Sequence, residues 1–233
     1  MNTKYKHLFF DLDRTLWDFD QSALKTFALL YEKHALKQKG IPDLPTFFST
    51  YNKHNDLLWE SYRNGELTKE ILRDLRFIQT LSSFDIKDEA LAVTLSEEYL
   101  FYAPRTVYLF PGAAEVLKKL HPHYELHLIT NGFEEVQHIK IQTANLDQYF
   151  KKLITSEAAG VKKPDPLIFD YALQQTGASK GESLMIGDDL EVDILGAQNF
   201  GIDQIYFNPE GLPHEARPSF EIRHLNEIPD LLS

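Results

Sequence analysis

Residues 7–13 read His-Leu-Phe-Phe-Asp-Leu-Asp, an apolar run that ends in two carboxylates one residue apart. A short apolar run of this kind suits a strand buried on both faces of a parallel sheet. In open α/β sheets, ligands settle just beyond the carboxyl ends of the strands. Asp11 and Asp13 therefore stand where a substrate arrives, and on an extended backbone residues two apart project to the same side. Close carboxylates repel one another, and one tends to retain a proton. A hard cation relieves that repulsion, and Mg2+ commonly joins a few carboxylates to a substrate phosphate. The pair also permits a division of labour, one carboxylate as nucleophile and the other as general acid and base. The same Asp-Leu-Asp-Arg-Thr stretch would serve equally as the cap of a following helix.

The next ninety or so residues carry helical periodicity and no strand pattern. Helices are expected over 21–35, 46–63, from Thr68 to about residue 81, and over 87–102, with breaks at Gly40, Pro42, Asn64-Gly65 and Pro104. Beyond that block, strands and helices alternate. A helix is expected from Pro111 to Leu120, then a strand over 124–130, a helix over 133–145, a strand over 152–156 and a helix over 166–175. A strand over 183–187, a helix over 190–200 and a strand over 204–207 follow, with a further strand over 220–222 and a terminal helix over 226–232. Such alternation predicts an α/β fold, a doubly wound, Rossmann-like parallel sheet with helices on both faces. The economical division is a core of residues 1–16 and 105–233, with an all-helical domain, 17–104, inserted after the first strand. An insertion joined to its core by two chain segments could close over the active end as a lid.

Composition narrows the function. The net charge of −11 argues against a nucleic-acid polymer or an anionic membrane as partner, since both are bound by basic surface. A small anionic ester remains compatible, because a bound cation and one lysine reverse the local field. With no cysteine, disulfides, thiolate metal sites and a cysteine nucleophile are excluded. The apolar run before Asp11 is too short for a signal peptide or a membrane span, so a cytoplasmic protein is expected.

Three later strand ends carry polar groups. Thr130-Asn131-Gly132 offers a hydroxyl and a turn whose N–H groups suit a phosphoryl oxygen, though an ordinary strand-to-helix turn reads the same way. In Lys162-Lys163-Pro164-Asp165-Pro166 the prolines stiffen the loop. Lys163 is the better phosphate partner, and Lys162 reads as solvated. Gly187-Asp188-Asp189-Leu190-Glu191-Val192-Asp193 crowds acids at a sheet edge, a costly gathering without a cation. The helix that follows would accommodate Asp189 and Glu191. Asp188 is the candidate metal ligand, and Asp193 could face inward and pair with Lys163.

Taken together, Asp-Leu-Asp-Arg-Thr, Leu-Ile-Thr-Asn, Lys-Lys-Pro-Asp-Pro and Gly-Asp-Asp-x-x-x-Asp resemble the four motifs of the haloacid dehalogenase-like hydrolases. The helical insertion looks like the first cap class of that superfamily. The resemblance implies roles: Asp11 as nucleophile, Asp13 as general acid/base that also gives a backbone carbonyl to Mg2+, and Asp188 as a further metal ligand. It gives Thr130 and Lys163 to the phosphoryl group and places Asp193 behind them, and Asn131, from its turn, joins them as a phosphate-binding candidate. Arg14 departs from the pattern, since most relatives have glycine there. Phe-Phe-Asp-Leu-Asp-Arg-Thr-Leu-Trp-Asp-Phe is similar to the pyrimidine 5′-nucleotidase branch.

The expected activity is Mg2+-dependent hydrolysis of a phosphate monoester through an aspartyl-phosphate, with a nucleoside 5′-monophosphate as substrate. Phosphoglycolate or sugar-phosphate hydrolysis, phosphomutase activity, dehalogenation and a non-enzymatic binding role are the alternatives; Asp13 speaks against dehalogenation, which has no alkoxide to protonate. Base-stacking candidates are Trp17 and Phe19. Tyr51, His54, Trp59, Tyr62 and Arg63 are also available, with Tyr51, Trp59 and Tyr62 expected in the core of the insertion.

Overall fold

A computed structural model describes residues 4–233 of the chain. Its sheet has six parallel strands in the order β3-β2-β1-β4-β5-β6. The strands are β1 (His7–Phe10), β2 (Glu125–Thr130), β3 (Phe150–Thr155), β4 (Ser183–Gly187), β5 (Asp203–Phe207) and β6 (Phe220–Ile222). β1 lies between β2 and β4, with His7 level with Glu125 on one side and Ser183 on the other. Alternate residues feed two cores, as the period of a strand requires. Leu8, Phe10, Leu126, Leu128, Leu184 and Ile186 face one cluster with Val116 and Leu117 of a helix at Ala113–Leu120. Phe9, Ile129 and Met185 face the other, with Ile168, Phe169 and Ala172 of a helix at Pro166–Thr176. The sheet is thus covered on both faces, as parallel sheets are.

The chain divides into two compact units, one holding the sheet and the other spanning Asp20–Thr106. The second unit contains helices α1 (Phe19–Lys33, from its second residue), α2 (Leu44–Arg63), α3 (Lys69–Ser82) and α4 (Glu89–Tyr102). Three of them begin at a side-chain cap: Asp43 accepts from the Thr46 N–H, Thr68 from Ile71 and Asp88 from Leu91. Phe27 sits among the rings of Phe47, Tyr51 and Phe77 at centroid distances of 5.0, 4.4 and 5.8 Å. Tyr51 and Tyr62 are buried in this unit, whereas Trp59 is half-buried. No helix among the described residues is long and apolar enough to cross a membrane.

Two local expectations need correction. Pro111 lies outside its helix, which starts at Ala113 after Gly112; at φ 87° that glycine adopts a conformation other residues resist. Residues 190–200 are not one regular helix. Leu190–Leu195 forms a wider turn, with the Asp193 and Ile194 N–H groups both donating to the Asp189 carbonyl, before a short helix at Gly196–Phe200.

Candidate active site

The sheet unit gathers its polar side chains beyond the carboxyl ends of β1, β2 and β4. Asp11 follows β1 directly, and its N–H extends the ladder to the Ile186 carbonyl at 2.8 Å. The strand ends there. Residues 12–17 fold into a tight loop in which Leu16 and Trp17 both donate to the Leu12 carbonyl, and Arg14 adopts φ 65°. Asp11 and Asp13 therefore do not project side by side from an extended strand, and their carboxylates meet different partners.

Asp11 accepts from the Lys163 ammonium at 2.6 Å. Lys163 also donates to Asp193 at 2.6 Å and to the Ile129 carbonyl at 2.8 Å. An ammonium has three protons, and these three acceptors use them all. Asp193 reaches Lys163 through the wide turn after β4, and its other oxygen accepts from the Asp189 N–H at 3.2 Å. Gly187 makes room: a Cβ there would stand 2.3 Å from Asp193 Oδ2. Asp188, half-buried, accepts from the Thr15 hydroxyl at 2.9 Å. Asp189 stays outside and caps the following turn, accepting from Glu191 and Val192.

Ligating oxygens of Asp11, Asp188 and Asp193 lie within 4.8 Å of one another. Three ionised carboxylates against one lysine leave an excess of two negative charges in a buried place. The protonation preferences reflect that excess. Burial raises Asp11 most, Lys163 opposes it and Asp193 adds to it, for a net rise to about 7. Burial, then Asp11 and Asp193, push Asp188 well above the carboxylate range. Burial would lower Lys163, but Asp11 and Asp193 more than offset this and hold it charged. A divalent, oxygen-seeking cation matches both the donor set and the charge. Asp11 and Asp188 are the carboxylates placed to hold it, because Asp193 has both oxygens engaged by Lys163 and Asp189.

Asp13 is held apart from this cluster. Its carboxylate pairs with the Lys140 ammonium and accepts from Gln137 Nε2 at 2.8 Å. Burial raises it, yet Lys140 and Gln137 outweigh burial and the net direction is down. The backbone carbonyl of Asp13 is the atom the motif resemblance gives to the cation, so this side-chain pairing is compatible with it. Gln137 and Lys140 lie on the helix Glu134–Thr143 and belong to none of the recognised motifs. Their signal was a lysine and a glutamine three residues apart on one face of a helix following the second motif.

Thr130 is buried, and its oxygen accepts from Gly132 N–H at 3.0 Å and Gln137 at 3.1 Å, which leaves the hydroxyl proton to donate. The Asn131 side chain is not available to a phosphate. It makes a reciprocal pair with the Lys163 backbone, Nδ2 to the carbonyl at 2.9 Å and Oδ1 from the N–H at 2.8 Å. Any phosphoryl contact there falls to backbone N–H groups. Trp17 is 1 % exposed in the sheet core, so its apolar bulk is spent on packing rather than on a base. Phe19 is partly buried, with Arg14 5.0 Å and Lys140 5.6 Å from its ring centre.

Comparison with known proteins places the chain in a family. A family profile described as haloacid dehalogenase-like hydrolase matches residues 5–201. The pyrimidine 5′-nucleotidase PynA of Streptococcus pneumoniae is 34% identical over 232 residues, covering 98% of this chain and 95% of that protein. A glyceraldehyde 3-phosphate phosphatase of Pyrococcus abyssi is 33% identical, covering 87% of this chain and 81% of its own. Among solved structures, the magnesium-bound putative HAD-hydrolase YfnB of Bacillus subtilis superposes with a TM-score of 0.88 at 27% identity, covering 99% of each chain. With its motifs assembled at one sheet edge and most of its length shared with these relatives, the chain belongs to the haloacid dehalogenase-like hydrolases.

Proposed function

We propose that the chain is a Mg2+-dependent phosphatase that hydrolyses nucleoside 5′-monophosphates, pyrimidine nucleotides foremost, through an aspartyl-phosphate on Asp11. The observation that carries the chemistry is the contrast between two carboxylates. Asp11 is fixed by Lys163 beside Asp188, whereas Asp13 is held separately by Lys140 and Gln137. A fixed carboxylate suits a nucleophile, and a separate one suits proton transfer.

Mg2+, held by the carboxylates of Asp11 and Asp188 and the backbone carbonyl of Asp13, would neutralise charge on the phosphoryl oxygens. An Asp11 oxygen forms a bond to phosphorus as the ester P–O bond breaks. Asp13, which Lys140 and Gln137 keep ionised in the free chain, takes a proton from solvent as the phosphoryl anion arrives beside it and gives that proton to the departing alkoxide. As carboxylate it then takes a proton from water, whose oxygen attacks phosphorus and releases phosphate and free Asp11. Lys163 keeps Asp11 oriented through both steps, and the Thr130 hydroxyl donates to a phosphoryl oxygen. Positioning and charge dominate such transfers, so the loss of one donor is expected to cost about 10²–10³ in rate.

The nucleotide reading rests on similarity to PynA along almost the whole of both chains. A small sugar phosphate is the second reading, favoured by the nearly equal identity to the Pyrococcus abyssi phosphatase. Phosphate release should be measured with Mg2+ on UMP, dUMP, dTMP, purine nucleotides, phosphoglycolate, triose phosphates and hexose phosphates. Preference for pyrimidine nucleotides, abolished by Asp11→Asn, supports the proposal. Preference for a small sugar phosphate keeps the mechanism and discards the nucleotide. Retention of most activity in Asp11→Asn overturns the covalent step.

A further inference from the structure

At the other end of the sheet, three ligand-type side chains meet that the catalytic scheme does not use. We propose that His7, His127 and Glu125 form a second metal site, for a borderline transition ion such as Zn2+. The register of the sheet brings them together. Glu125 and His127 lie two residues apart on β2 and so share a face. His7 is level with Glu125 on the neighbouring strand, and Phe9 with His127.

His7 Nδ1 lies 3.2 Å from His127 Nε2 and 3.7 Å from a Glu125 carboxylate oxygen. One ligating atom from each of the three falls within 4.8 Å of the other two. With Zn–N bonds of about 2.0–2.1 Å, one edge of a tetrahedron around zinc is about 3.3–3.4 Å long. The nitrogen pair is already close to that edge, and Glu125, on an exposed side chain 3.7 Å from His7 and within 4.8 Å of His127, is free to swing inward. The two nitrogens share one proton in a hydrogen bond, and loss or tautomeric shift of that proton with small rotations of the rings would aim both lone pairs at a common ion.

The chemistry of the donors separates this site from the catalytic one. Two imidazoles and one carboxylate suit Zn2+, Co2+ or Ni2+, whereas the all-oxygen cluster of Asp11 and Asp188 suits Mg2+. His127 is 1 % exposed and stacked against Phe9 at a centroid distance of 4.9 Å. Lys152, level with His127 on β3, and Lys151 add positive charge near the ring. Glu125 brings the negative charge that sets the ion against those lysines. His7 opens β1, and Asp11 follows its last residue, so about 13 Å of strand separates the two places.

The test is titration of the full chain with Co2+ in excess Mg2+, read by visible absorption and reversed by Zn2+. A tetrahedral cobalt spectrum that saturates at one equivalent and is displaced by zinc is expected. His127→Phe and Glu125→Gln should each weaken binding by more than the roughly 10–100-fold that loss of an outer-shell partner costs. Mg2+-dependent phosphate release by Glu125→Gln should match the unaltered chain. Absence of a cobalt spectrum, or unchanged affinity in Glu125→Gln and His7→Gln, overturns the site. If His127→Phe does not fold, the exposed Glu125→Gln decides alone.

Discussion

Lys140 and Asp13 form an ion pair in which the lysine is almost wholly enclosed and the carboxylate is about a quarter open, at 6% and 28% side-chain exposure. The lysine thereby controls the protonation of the proposed general acid/base. Lys140→Met removes the cation that holds Asp13 down. The limb of the pH profile of kcat/KM that reports Asp13 should move to higher pH. The change in kcat should be smaller for p-nitrophenyl phosphate than for a nucleotide, since nitrophenolate leaves without a proton. An unshifted profile would remove Asp13 from the chemistry or the pair from solution.

Lys163 is buried between Asp11 and Asp193. Lys163→Met leaves two enclosed carboxylates without their partner. Removal of one member of a buried pair typically costs about 3–5 kcal/mol. Urea unfolding at pH 7.5 without metal should show a loss of that order, and Mg2+ should recover part of it. A variant as stable as the parent would mean that the carboxylates take up protons instead.

Metal and pH are linked through the same cluster. In the metal-free chain Asp11 sits at about 7 when folded, against 3.8 as a model carboxylate. A carboxyl raised by folding binds its proton more readily in the native state, so its stabilising contribution is complete below pH 3.8 and fades as pH climbs to about 7. Asp188 and Asp193, also raised, act in the same direction. A cation favours the ionised forms. The rise in Tm on adding Mg2+ should therefore be larger at pH 7.5 than at pH 5.5. Equal rises would place the metal elsewhere.

Gly187→Ala tests the packing behind the site. The added Cβ would stand 2.3 Å from Asp193 Oδ2 and 2.6 Å from Asp193 Cβ, too close for either to stay. Asp193 would release Lys163. The Mg2+ concentration for half-maximal activity should rise and kcat should fall, while the far side of the sheet keeps its hydrogen-exchange protection.

Arg14 occupies a left-handed conformation, at φ 65°, that glycine adopts freely. The strain of a non-glycine residue there is about 1–2 kcal/mol. Its guanidinium over Phe19 returns about 0.5–1 kcal/mol. Arg14→Gly should thus leave stability within about 1 kcal/mol of the parent, whereas Arg14→Val, which keeps the strain and loses the contact, should melt earlier. Equal melting of the two variants would show that the loop relaxes.

The sequence displays most of this architecture because its parts are local. β4 is legible to the residue, since its apolar run is bounded by a turn and by acids. The caps Asp43, Thr68 and Asp88 are equally local signals, although only Thr68 is assigned from sequence above. Asp11, Asp188 and Lys163 sit in motifs whose residue types announce charge chemistry. What escaped depends on where a loop sends a side chain. Nothing local states that Asn131 spends its amide on the Lys163 backbone, or that Trp17 turns into the sheet core. Lys140 escaped because a lysine on a helix usually reaches solvent, and only the fold reveals Asp13 above it. The wide turn at Leu190–Leu195 escaped because its apolar spacing is also that of a regular helix.

The position of β1 has a consequence for the order in which the chain is made. β1 is the first strand of the sheet to be synthesised, and it ends up inside the sheet with a neighbour on each side, His7 beside Glu125 and Ser183. The helices α1–α4 are complete before either neighbour exists, and such local structure forms early. On the ribosome, Leu8, Phe9 and Phe10 must therefore wait with unpaired edges for about a hundred further residues. At the 5–20 residues per second typical of translation, that wait is about 5–20 seconds. A slowly translated insertion would lengthen this exposure, and chaperone demand should follow the time between β1 and β2 rather than the stability of the finished fold.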